Sequence, residues 1–142
     1  MSAPFRITRP KVRRVDAGKA EGAKDYLDRL TKLIPTEVIS AYLIGKGVLV
    51  SGDTAETPIS YWVGWTVFGF VLVVISRMFG TADPKENQPP QLIAVMIACV
   101  SYLVWIYSMG DVFALLNLYE PKLGVLIMVG WTALTPFLYK GS

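Results

Sequence analysis

Two charged residues, Glu37 and Lys46, interrupt the otherwise apolar run Ile34–Val50. Carboxylates inside segments of this kind are rare and often mark proton or cation pathways. Glu37 shares a helical face with Ser40, Ala41 and Gly45, and small residues let helices approach closely. That face predicts a Glu37 side chain turned toward neighbouring helices, where it could bind a cation or pass a proton. A structural reading stands beside this one. Glu37 lies two residues after Pro35, in a first helical turn, where a carboxylate complements the helix dipole. Lys46 falls nine residues later, about half a turn round the helix, so the two charges cannot pair within it. Lys46 can snorkel to the membrane surface, or pair with Asp53, Asp111 or Glu120.

Other chemistry is sparse. The chain contains no His, which excludes His-based metal sites, general bases and triads. Its single Cys, Cys99, cannot form an intrachain disulfide. No P-loop, GxSxG or metal-ligand spacing occurs. The expectation is a protein that is not an enzyme and holds no cofactor or metal. A stripe of small residues (Ala94, Ala98 and Ser101, continuing to Ser108) reads as a helix-packing seam, as do Ser40, Ala41 and Gly45. Gly64, Gly69, Gly124 and Gly130 read as packing positions.

Four apolar stretches must carry these residues: 34–50, 59–75, 92–109 and 123–138. Each approaches the ~20 residues that cross ~30 Å of hydrocarbon. Only 18% of the 142 residues are charged, against about 25% in soluble domains. The predicted fold is an all-α membrane protein, a four-helix transmembrane bundle over residues 34–140. Charge sets its orientation. Residues 1–33 carry nine Lys and Arg against four Asp and Glu, a net +5, whereas the remainder nets −2. The positive-inside rule then places both termini and the Arg77–Pro90 loop in the cytoplasm. Tyr61, Trp62, Trp65, Trp105 and Tyr107 cluster near the opposite ends, as interfacial rings do. Arg77 reads as the interfacial end of the second span. The expected location is a bacterial inner membrane. The Arg-rich first fifteen residues also suit a mitochondrial presequence, although Pro4 and Pro10 interrupt any continuous amphipathic helix there.

Outside the spans, residues 1–21 form a basic tail whose composition predicts disorder in isolation. Residues 22–33 read as an amphipathic helix: Tyr26, Leu27, Leu30 and Leu33 on one face, Lys24, Asp25, Asp28 and Lys32 on the other. It suits either the inner membrane surface or an extension of the first span. Residues 111–120 read as an interfacial helix capped by Asp111 and ended by Pro121. The cluster Arg6, Arg9, Lys11, Arg13 and Arg14 suits anionic headgroups or an acidic protein surface. No aromatic interleaving supports specific nucleic-acid binding.

Glu37-Val38-Ile39, with Lys46 toward the far end, resembles the first helix of the small multidrug resistance transporters. The resemblance spans about a dozen residues and implies cation transport by an oligomer. The long basic tail, Pro35 and the apolar 111–120 segment depart from it. The leading expectation is a non-enzymatic subunit of a larger membrane assembly, docked through the basic tail to other subunits, further copies of itself or lipid. The alternative is a small oligomeric transporter or channel using Glu37.

Overall fold

A computed structural model describes residues 3–8, 18–51 and 57–139; for residues 18–21 only the backbone is described. Six helices account for most of these residues: α1 Gly18–Leu33, α2 Thr36–Val50, α3 Ile59–Thr81, α4 Leu92–Met109, α5 Asp111–Leu115 and α6 Pro121–Leu138. Three of them, α3, α4 and α6, are individually long and apolar enough to cross a membrane. The bent pair α1–α2, with 48° between its axes, supplies a fourth if it counts as one span. The protein is therefore all-helical, with three to four candidate membrane-crossing helices.

Pro35 causes the bend. It has no amide hydrogen to continue the ladder from α1. The chain restarts when Val38 and Ile39 both donate to the Pro35 carbonyl, at 3.1 and 3.0 Å. That leaves α2 only fifteen residues long.

α3 and α4 form the centre, with α2 against α3 and α6 against α4. α1 lies over α6 and the start of α4. The main contacts thus run α2–α3–α4–α6, with no extensive α2–α6 contact among the described residues. Long apolar faces are left outward, including Val67, Phe68 and Val71 on α3 and Leu126 and Val129 on α6. Such faces suit lipid or further protein.

α4 is buried on two sides. Ala98, Tyr102 and Ile106 join Val38, Tyr42 and Val73 in the larger core, while Ala94 and Ile97 meet Ile7 and Leu33 in the smaller. Ser101 accepts the Trp131 indole N–H at 2.8 Å, tying α4 to α6. Close approach of these two helices depends on Gly124, where an added Cβ would sit 3.2 Å from the Ser108 Cα. Gly64 and Gly130, expected to be packing positions, have open space beside them.

Several boundaries move. The amphipathic helix begins at Gly18, inside the expected tail, and α3 runs six residues past Ile75 to Thr81. The 111–120 segment is helical only to Leu115, because Asn117 takes φ 58°, a left-handed conformation that ends a helix. Asp111 makes no capping hydrogen bond. Leu92–Met109 matches its expected bounds.

Gly124→Leu should separate α4 from α6 and cost about 1–3 kcal/mol, the usual penalty of overpacking. Gly130→Leu should leave stability unchanged. Thermal melts in detergent followed by circular dichroism compare the two.

Candidate functional site

The charged side chains of α2 are both neutralised by other helices, one at each end of the protein. Glu37 meets Arg77 of α3, with Arg77 Nη2 3.2 Å from each carboxylate oxygen. The two helices are antiparallel neighbours. Gly45 packs on Trp65, and following both helices away from that contact brings Glu37 to the Val73–Arg77 turn. Arg77 is wholly buried, whereas the Glu37 side chain is 40% exposed.

Arg77 also repairs the Pro35 break. Its Nη2 donates to the Ile34 carbonyl at 3.0 Å. The Phe5 ring lies over the guanidinium, 4.0 Å from its carbon, in cation–π geometry. Arg77 Nε and Nη1 are buried without a hydrogen-bond partner among the described residues. One side chain thus touches α2, the α1–α2 junction and the N-terminal segment.

The N-terminal segment, residues 3–8, is a strap across this end. Phe5 N donates to the Gly80 carbonyl at 3.0 Å, and a Cβ at Gly80 would collide with the Phe5 ring. Arg6 Nη1 donates to the carbonyls of Thr81 and Pro89, at 2.9 and 3.1 Å. Ile7 fills the space beside Leu33 and Ala94, while its N–H and carbonyl both bond the Gln91 side-chain amide, at 2.9 and 2.8 Å. A buried backbone must satisfy its polar groups, and one amide side chain here serves both.

At the opposite end Lys46 pairs with Asp111 at 2.7 Å, and Asp111 also accepts the Tyr42 hydroxyl at 2.9 Å. Asp111 is 7% exposed. Tyr42 is buried, and its carbonyl accepts the Trp65 indole N–H at 3.1 Å. Of the options for Lys46, the structure shows the pair with Asp111; Asp53 lies outside the described residues.

The face expected around Glu37 is different. The buried residues of α2 are Val38, Ile39 and Tyr42. Glu37 and Ser40 lie on the exposed flank, with Ser40 Oγ donating to the Thr36 carbonyl at 2.8 Å. Ala41 and Gly45 are half-buried. Val38, Ile39 and Tyr42 face α3 and α4, while Leu43, Ile44 and Val48 of the same helix point outward. Ala94, Ala98 and Ser101 are all buried inside the protein. Of the basic cluster, Arg6 is described; Arg9, Lys11, Arg13 and Arg14 lie outside the described residues. The pairing of Arg77 with Glu37 and its burial were not anticipated from the sequence. An acid and a base at matching depths of one helical hairpin were the available signal.

Among the described residues, no group of three His, Cys, Asp or Glu side chains could hold a metal. A cation binding Glu37 would share the carboxylate with Arg77 or displace it. No protein family matches this chain, and neither does any curated protein or solved structure.

Glu37→Ala should strand a buried guanidinium and cost about 3–5 kcal/mol. Adding Arg77→Met should bring the total to about 1–3 kcal/mol below the sum of the single variants. Melting of all four proteins in one detergent measures this, and strict additivity would show that the pair carries no coupling.

Proposed function

We propose that the chain is a multi-pass inner-membrane protein with both termini cytoplasmic, acting as a non-enzymatic subunit of a larger membrane assembly. The observation that carries this reading is the double anchoring of the N-terminal region. Ile7 is fixed by Gln91 and α1 by α6, where Tyr26 Oη donates to the Ala133 carbonyl at 3.1 Å and Arg29 to Pro136 at 3.3 Å. Between these anchors the sequence places Arg9, Lys11, Arg13 and Arg14, with Asp16 and no other acid before Gly18. A basic stretch tethered on both sides suits an acidic surface on a neighbouring subunit, with less ordering entropy lost on docking than for a free tail. The outward apolar faces of α3 and α6 offer lateral contact within the bilayer. Charge bias supports the orientation. The ion pairing of Glu37 and Lys46 supports a structural role for both and weighs against transport through Glu37.

Replacing Arg9, Lys11, Arg13 and Arg14 together with Gln should leave the melting temperature unchanged and remove co-purifying chains after gentle detergent extraction. Mass spectrometry of the extracts reads the result. A chain that purifies alone and gives liposome proton flux abolished by Glu37→Gln would replace this reading with transport.

A further inference from the structure

At the end of the protein where α4 begins and α6 finishes, a cavity of about 380 Å³ opens between the strap and these two helices. Arg6, Pro89, Pro90, Leu92, Ile93 and Tyr139 line it. Its composition is divided. One wall carries the Arg6 guanidinium, which is in no ion pair among the described residues. The lip is apolar: Leu92 and Ile93, the first residues of the most apolar candidate span, are 62% and 57% exposed. Tyr139 directly follows the last residue of α6, so both helix ends meet here at the edge of the apolar zone. No acidic residue lines the cavity.

We propose that this cavity binds the headgroup of an anionic phospholipid, with one acyl chain lying along Leu92, Ile93 and the exposed Met96. Charge complementarity selects the occupant. An unneutralised guanidinium at a hydrocarbon boundary favours a phosphate, and charge-assisted hydrogen bonds are the strong ones. The apolar lip continues down α4, which a soluble anion would leave uncovered. Arg6 already gives Nη1 to two carbonyls, so its side chain is held in place before the lipid arrives. The inference rests on the membrane embedding in the functional reading above, not on the subunit role.

The test is native mass spectrometry of the full chain in detergent, titrated with phosphatidylglycerol or phosphatidylcholine. Phosphatidylglycerol should be retained about tenfold better, a ratio within reach of one charge-assisted hydrogen bond. Arg6→Gln should abolish that preference, Arg6→Lys should keep it, and Arg9→Gln should leave it intact. Ile93→Trp, which fills the cavity from the α4 side and leaves the Arg6 side chain unaltered, should also remove it, and it decides the matter if Arg6→Gln fails to fold. Equal retention of the two lipids overturns the proposal, as does persistence of the preference in Ile93→Trp. An equal loss in Arg9→Gln would mean diffuse attraction to the basic stretch, and displacement by soluble glycerol phosphate would mean a soluble-anion site; either overturns it. A chain that enters vesicles of neither lipid refutes membrane embedding itself, a failure distinguishable from the others.

Discussion

A guanidinium placed inside an apolar helix end must find an acceptor, and Arg77 finds two. It is wholly buried, and the cost of taking such an ion from water is several kcal/mol. That cost is offset by Glu37 on one helix and by the Ile34 carbonyl at the α1–α2 junction. The arrangement couples features that would otherwise be independent. Pro35 bends the chain, the bend presents the Ile34 carbonyl, and Arg77 joins that carbonyl to Glu37 one turn later. Phe5 covers the ion, and the strap carrying Phe5 is fixed through Gln91 and Thr81. Thr81 itself accepts the Gln91 N–H at 3.1 Å while donating to the Arg77 carbonyl. The α3 terminus, the strap and the α2 start therefore form one polar network around one charge.

The other end solves the same problem with different residues. Lys46 is neutralised by Asp111, and Tyr42 satisfies the second carboxylate oxygen. Both charges of α2 thus find opposite charges on segments later in the chain. α2, at fifteen residues, is shorter than the three helices long enough to cross a membrane, and it is held by polar contacts at both ends as well as by the Val38–Tyr42 core. Buried pairs of this kind add little net stability, but removing one partner is expensive. They fix which helix lies beside which more than they strengthen the contact.

Much of this was legible in the sequence. Apolar runs gave the helices, and the uniform run of α4 gave its ends to the residue. Where charge and apolar pattern disagreed, the reading failed. Arg77 looked like a boundary because unpaired charges stop spans; with Glu37 opposite, the helix continues to Thr81. The apolar segment after Gly110 looked like a long interfacial helix, but Asn117 turns the backbone left-handed and ends it. Small residues around Glu37 suggest a buried face, whereas the structure puts Val38, Ile39 and Tyr42 inside. The strap had no periodicity to read. Its position comes from single complementary contacts, such as the Phe5 ring over Gly80, which no local pattern encodes.

The order of these partners along the chain bears on biogenesis. α2 leaves the ribosome with two unmatched charges and only fifteen residues of helix. It is a poor candidate to enter a bilayer alone. Glu37 gains its counter-ion forty residues later, when Arg77 has been made. Lys46 waits longer still, until Asp111 follows the completed α4. The partners of α2 thus arrive in stages, Arg77 with α3 and Asp111 with α5, and the N-terminal strap can close over Arg77 only after the Gly80–Gln91 turn exists. The first residues synthesised are among the last to settle.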